Sequence, residues 1–328
     1  MRLLTIGKND AGQRIDKFLT KTLKNLPVSL LYKYIRKKRI KLNGKRCNIS
    51  DRLNEGDVLN LYINEEFFQK EPKQYDFMKA PKKLNIVYED DNIILLDKQP
   101  GLIVHPDENY FFDSLIGRVT HYLFDKGEYD PSSENSFAPA LVNRIDRNTA
   151  GIVIAAKNSE SLRILNEKMK SREIHKYYIA LLHGIPDKEE ALLTAYLKKD
   201  ENKNKVYISS KPKPGYKIIK TKYKLLEKRN NASLVEVELL TGRTHQIRAH
   251  MAFIGCPLVG DGKYGKNEQN KKVQYKFQAL CSYKLVFDFK EDAGMLNYLN
   301  HKEFSVKKIW FLDWLLKVDI KCIILIKL

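Results

Sequence analysis

Cysteine is scarce in this chain of 328 residues: Cys47, Cys256, Cys281 and Cys322 are scattered and none stands in CxxC spacing. That argues against a disulfide framework and a zinc ribbon, and it fits a reducing cytoplasm. Histidine does not restore a metal reading. His245 and His250 lie five apart with no further acid at ligand spacing, so a metallohydrolase is not expected. Long hydrophobic runs are missing as well. The opening Arg2 to Lys8 is too short and too soon charged for a secretory leader, and the apolar stretches around 309–316 and 320–326 are broken by Asp313, Lys317, Asp319 and Lys321. They read as core or partner-binding surface, not as a membrane span. Acid is the last shortage: 40 acidic side chains face 59 basic ones, a formal charge of +19. A polyanionic partner is expected, nucleic acid first and an anionic membrane surface as the rival.

What is present falls into two parts. Before residue 65, Ile15, Phe18, Leu19 and Leu23 repeat at helical spacing, with Arg14, Lys17, Lys21 and Lys24 on the other face. A second helix is predicted to start at Ser29 as N-cap, with Leu31, Tyr34 and Ile35 inward. Asn43-Gly44 marks a hairpin, and Gly56-Asp57 turns into Leu59, Leu61 and Ile63. Glu65 to Lys83, with Pro72 and Pro81, interrupts the apolar periodicity and reads as a linker. Beyond it, two short strands flank a polar turn at Asp90 to Asn92, Leu162, Leu165 and Met169 share a helical face, and short strands are expected from Tyr177 onward. The expected class is α+β, with a large, mainly antiparallel sheet.

Chemistry concentrates in Leu141-Val-Asn-Arg144-Ile-Asp146-Arg147-Asn-Thr-Ala-Gly151, which sets one carboxylate between two arginines ahead of the apolar run 152–156. A carboxylate beside fixed positive charge suits a nucleophile or base better than a proton donor. By itself the segment is equally an ordinary turn whose Asp caps its own backbone. A second segment is Lys176-Tyr177-Tyr178-Ile-Ala-Leu, and a third is Thr241-Gly-Arg243-Thr-His245-Gln-Ile-Arg248-Ala-His250. Tyr178 alone would be a core tyrosine, and Arg243 and His245 alone a basic strand edge touching phosphates. Gly260-Asp-Gly-Lys-Tyr-Gly265-Lys266 satisfies GxGxxG, but 266–272 is a lysine-rich loop and not a helix, so nucleotide binding is not expected.

In this order the three segments resemble the motifs of the RluA-type pseudouridine synthases, with Asn143 standing where that family has His, Ala150 where it has Ser and Cys281 in place of a further His. The start of the chain resembles an S4-like RNA-binding module. The resemblance implies an S4-like domain over 1–64, a linker over 65–83, a catalytic domain over 84–305 with a large mixed, mainly antiparallel sheet, and a tail of unknown role over 306–328. It implies Asp146 as catalytic residue, Arg248 as its ion-pair partner, Tyr178 stacked on the base and a candidate proton acceptor, and Arg144 filling the place of a displaced uridine. Arg147, Arg243 and His245 are expected at the RNA, with Arg36, Lys37, Lys38, Arg39, Lys45 and Arg46 gripping phosphates. No cofactor or metal is implied, and the expected protein is a cytoplasmic monomer acting on RNA, most simply large-subunit ribosomal RNA. A non-catalytic RNA-binding or ribosome-assembly protein of the same fold would share the charge and the first module. A basic membrane-surface protein would share only the charge.

Overall fold

In a computed structural model, residues 1–68, 75–107, 112–265 and 275–312 are described. The lysine-rich loop 266–272, Cys322 and the apolar stretch 320–326 lie outside them.

The first unit packs two helices on a small sheet. Strands β1 (Arg2–Thr5), β2 (Ile40–Leu42), β3 (Lys45–Arg46) and β4 (Val58–Leu61) order as β1-β4-β2-β3, with α1 (Ile15–Thr22) and α2 (Val28–Arg36) between β1 and β2. Ile15, Phe18, Leu19, Leu31, Ile35, Ile40, Leu59 and Leu61 form its core. Helix α2 starts earlier than expected. Pro27 precedes its first residue with φ −55°, and Ser29 lies inside the first turn. Proline's fixed φ and missing N–H cost nothing at a helix start, so it outcompetes the serine cap. Asn43 and Gly44, at φ 50° and 75°, make the tight turn that joins β2 to β3.

The second unit is built on an eleven-stranded sheet. Its main path runs β11-β10-β12-β13-β9-β14-β8-β6-β5, with β15 on β14 and β7 on β8. These strands are β5 (Ile86–Glu89), β6 (Ile93–Lys98), β7 (Ala140–Leu141), β8 (Ala150–Ala156), β9 (Ile174–His183), β10 (Glu190–Asp200), β11 (Lys205–Ser209), β12 (Lys217–Arg229), β13 (Ala232–Leu239), β14 (Leu280–Phe287) and β15 (Glu303–Ser305). Among the described residues β14 against β8 is the one parallel strand pair, so the sheet is mixed and mainly antiparallel. The strands after Tyr177 are not short: β12 has 13 residues and β10 has 11. In β12 exposure alternates with period 2 from Ile218 to Lys224 without Gly or Pro, and the strand continues past a register shift at Leu225/Glu227.

Strand β8 is buried along its whole length because the sheet is covered on both faces. Ile152, Ile154 and Ala156 join a cluster with Leu165 of α4 (Ser159–Ser171), whereas Val153 and Ala155 pack under Leu115, Val119 and Leu123 of α3 (Leu115–Asp125). A third helix, α5 (Gln246–Phe253), covers β11 and β12 through Ile247, Ala249 and Met251. Val306, Ile309 and Phe311 are buried in the same cluster as Leu285 and Phe287, so the stretch just after 305 is core. The two units meet through polar contacts. The Asp10 carboxylate accepts from Asn135 Nδ2 at 2.8 Å and from Ser136 Oγ at 2.7 Å, and the Ser159 amide donates to Asn9 Oδ1 at 3.1 Å. Among the described residues, no helix is long and apolar enough to cross a membrane.

Candidate active site

Asp146 lies in the connection between β7 and β8, and that connection is fastened at both ends. Asn143 is buried, its Oδ1 accepting from the Ile154 amide at 2.8 Å and its Nδ2 donating to Ile152 O at 3.3 Å. The residue that departs from the family's His therefore extends the β7–β8 ladder with its side chain. At the far end Gly151 has φ 110°, and a Cβ there would fall 2.2 Å from Ser282 O. Only glycine lets β14 come that close at the parallel pairing. Within the loop, the Thr149 amide donates to Asp146 O at 3.0 Å, and Gln278 Nε2 donates to Thr149 Oγ1 at 3.0 Å.

A buried lysine supports the loop from below. Lys98, 1% exposed, donates from Nζ to Gln99 O, Leu102 O and Arg147 O at 3.0, 2.8 and 2.9 Å. Burial draws its pKa down to about 7 against the attraction of Asp146 and Asp97.

The partner of Asp146 comes from far along the chain. Arg248 Nη1, on α5, donates to Asp146 Oδ2 at 2.7 Å. On its other side the guanidinium is gripped by Asp261, with Nε to Oδ2 at 2.7 Å and Nη2 to Oδ1 at 3.0 Å. Burial opposes a charge on Arg248, but Asp261 and Asp146 outweigh it and raise its pKa. The Asp261 carboxyl is held below its usual range: burial would raise it, and Arg248 with the amides of Lys263 and Tyr264 overcomes that. Asp146 keeps 25% of its side chain exposed whereas Asp261 shows none. One carboxylate is reachable and the other is a brace.

His245 completes the ring. Its Nε2 stands 3.8 Å from Asp146 Oδ2 and its Nδ1 2.9 Å from the Tyr264 hydroxyl. That oxygen also accepts from the Val206 amide at 2.9 Å, so the Tyr264 phenol ties the imidazole to β11 in either tautomer. Burial pushes the imidazole pKa to about 4, with Arg248 adding to the effect and Asp146 opposing it, so the ring is neutral at pH 7. His245 and Arg243 are not on a strand edge. They lead into α5, where buried Gln246 ties the turn together by accepting from Thr241 Oγ1 at 2.8 Å and from the Arg243 amide at 3.1 Å.

Of the other sequence-predicted residues, Tyr178 sits on β9 at 5% exposure, and burial pushes its phenol up to about 12, with the charge of Asp146 adding to the rise. It packs in a cluster with Ile247, Leu280 and partly buried Ile145, beneath the Asp146 loop. Arg144, Arg147 and Arg243 are exposed, as are Arg36, Lys37, Lys38, Arg39, Lys45 and Arg46 in the first unit. Arg147 Nε donates to Gly101 O at 3.1 Å. The structure thus brings Asp146, Arg248 and His245 together, with Tyr178 below. Sequence reasoning assigned no role to Asp261, Tyr264 or Lys98. A lysine ending the apolar run 93–96 was the available signal for the last. Among the described residues no group of His, Cys, Asp and Glu could hold a metal ion.

The family model described as RNA pseudouridylate synthase matches residues 92–253, and that of the S4 domain matches 13–59. An uncharacterized RNA pseudouridine synthase of Mycoplasma capricolum is 36% identical over 94% of this chain and 99% of its own length. The chain belongs to the RNA pseudouridine synthase family. The synthase is also 34% identical to a ribosomal large subunit pseudouridine synthase C of Vibrio cholerae, over 81% of each chain. Human RNA pseudouridylate synthase domain containing 4 matches 71% of this chain and 92% of its own with TM-score 0.56 at 19% identity, a likeness of fold. The enzyme is therefore an isomerase that makes pseudouridine in RNA, with an RNA-binding S4 domain before its catalytic sheet.

Proposed function

We propose that this synthase acts on uridines of large-subunit ribosomal RNA and that Asp146 is its catalytic residue. The relatives named ribosomal large subunit pseudouridine synthase C support the substrate, and the 2.7 Å pair between Asp146 and Arg248 carries the catalytic assignment. The target base leaves its stack at a cost of a few kcal/mol, offset by binding to the basic surface. Arg144, exposed in the same loop, fills the place it leaves. Asp146 either attacks the anomeric carbon or removes a sugar proton. The N-glycosidic bond breaks, the uracil turns within the pocket and rejoins the sugar through carbon, and the ring proton lost there returns to nitrogen, so no atom is gained or lost. Arg248 cannot give up its proton at working pH, so its charge stays opposite Asp146 when RNA excludes water. Tyr178 stacks on the uracil face. We assign 1–64 to RNA docking, 65–83 to the linker and 84 onward to catalysis, including the core residues just past 305.

Mapping pseudouridines across ribosomal RNA in cells with the gene, without it, and with Asp146→Asn tests both parts. Sites lost on deletion and restored by the wild type but not by the variant are expected. Restoration by the variant would remove Asp146 from the chemistry, and losses confined to other RNAs would remove the substrate.

A further inference from the structure

The outward face of strands β10 to β12 departs from what a solvated sheet face should carry. Pairing places Tyr196 opposite Ile218, Thr194 opposite Lys220 and Leu192 opposite Lys222, while Lys198 faces Tyr207 on the edge strand β11. The opposite face is the covered one, where Ala195, Leu197, Val206 and Ile219 pack against Ala249 of α5. Outward residues on a half-covered sheet are normally polar, yet Leu192 is 56%, Ile218 46% and Tyr207 41% exposed. An apolar strip of this kind marks a contact surface.

Charge identifies the partner. Lys198 and Lys220 lie in the strip, and Lys211 and Lys213 are exposed in the connection from β11 to β12. Among the described residues none of these four is paired with a carboxylate, whereas neighbouring Lys199 and Lys222 are. Unpaired cations beside exposed Tyr207 and half-buried Tyr196 repel a like-charged protein and suit a nucleic-acid strand, the rings taking base faces and the ammonium groups the phosphates. Tyr196 lies opposite Ser209, two residues from Tyr207, a diagonal of about 7–8 Å that lets both rings serve one strand.

The same hairpin borders the catalytic site. Lys205 Nζ lies 5.7 Å from the centre of the Tyr264 ring, and Lys263 Nζ donates to Asn204 O at 2.7 Å. Strand β11 ends the sheet, so a chain leaving Asp146 can round the hairpin tip. We propose that the outer face of β10–β12 is a second RNA platform, holding single-stranded nucleotides that flank the target segment by stacking on Tyr207 and Tyr196 and pairing with Lys198 and Lys220. The inference rests on RNA as substrate but not on which RNA or on the role of Asp146.

The test is equilibrium binding of the full chain to a fluorescein-labelled 20-nucleotide oligouridylate over a salt series. Tyr207→Ala should weaken binding about tenfold and Tyr207→Phe should not. The double variant Lys198→Ala/Lys220→Ala should flatten the log–log salt slope by about 1.4, since two phosphate contacts and the counterion release they drive are lost on a single strand. Tyr207→Trp should have its indole emission quenched on saturation. Wild-type affinity and slope in these variants would overturn the proposal. So would self-association that Tyr207→Ala abolishes, which assigns the face to a second copy of the chain. Pseudouridine formation is not read, so an error about Asp146 leaves these outcomes unchanged.

Discussion

Asp146 and Arg248 are 102 residues apart in the chain and 2.7 Å apart in space, and Asp261 grips the same guanidinium from its other side. The arrangement is asymmetric. Asp261 is sealed and bidentate, whereas Asp146 holds one nitrogen and faces solvent. A guanidinium already satisfied by one carboxylate does not depend on the other for its position.

Asp146→Asn should therefore abolish turnover by more than about a thousandfold while leaving the fold and RNA affinity intact. Asp261 still neutralises Arg248 in that variant, and Asn fits the same turn. Single-turnover kinetics and a binding isotherm on the same RNA check this. Wild-type turnover, or a large loss of affinity without loss of turnover, would sink the assignment.

Asp261→Asn should behave differently, because it removes the buried negative charge and one of the two oxygens, and the remaining oxygen cannot serve both sides of the guanidinium while also accepting from the two turn amides. Breaking such a pair costs about 3–5 kcal/mol, and the loss of orientation at Arg248 should lower kcat more than it raises KM. A thermal melt beside steady-state kinetics separates this from Asp146→Asn, which should melt near the wild-type temperature.

Much of this site was legible in the sequence, and the reason is local. Asp146 and its turn, Tyr178 in its strand and Arg248 in its segment each sit inside a short contiguous pattern, and mixed sheet architecture followed from strand signals with few helical ones. What was not legible depends on contacts that sequence does not order. Lys98 carries no motif of its own, yet three carbonyls converge on its Nζ. Asp261 sat in a glycine-rich turn, and only the fold shows that this turn closes on Arg248. The apolar stretch from Ile309 read as core or partner-binding surface, and Val306, Ile309 and Phe311 show that its first residues are core. Ser29 was preferred to Pro27 because cap preference is a weak guide beside a residue whose φ is already fixed.

Tyr178 divides stacking from proton transfer. Burial holds its phenol up to about 12, so the hydroxyl remains protonated across the working range. Tyr178→Phe keeps the ring and should keep RNA affinity within about twofold, since stacking is sequence- and substituent-tolerant. Its turnover should fall about tenfold or more if the hydroxyl takes part in proton movement, a contribution in the range of general acid–base catalysis. Tyr178→Ala should lose affinity as well. Equal turnover for Tyr and Phe would confine the residue to stacking.

Acid stability should follow the buried pair Lys168–Glu173, 2.7 Å long with both side chains under 10% exposed. Burial would raise the Glu173 carboxyl, but the Lys168 ammonium and the donors from Ser171 and the Lys290 amide bring it from its ordinary 4.5 down to about 2. A depressed folded-state pKa gives stability that is complete above the unfolded value and is lost as pH falls through the folded one. Urea midpoints should thus hold near pH 7 and decline between about 4.5 and 2. Glu173→Gln should start lower at pH 7 and show a shallower decline, and an unchanged slope would exclude the pair as a source of the acid sensitivity.

The basic edge of the S4 unit should contribute affinity without chemistry. Lys37, Lys38 and Lys45 are exposed at the end of α2 and on the β2–β3 hairpin, whereas Arg39 lies with its guanidinium 5.5 Å from the centre of the Tyr34 ring and contributes to the unit's own packing. Replacing the three lysines by alanine should leave the melt unchanged and reduce the log–log salt slope of RNA binding by about 2–3, one phosphate per lysine. Because phosphate contacts position the RNA without entering the reacting centre, kcat at saturating RNA should stay at the wild-type value while KM rises. A fall in kcat with KM unchanged would mean that these lysines shape the reacting geometry and do not simply hold the substrate.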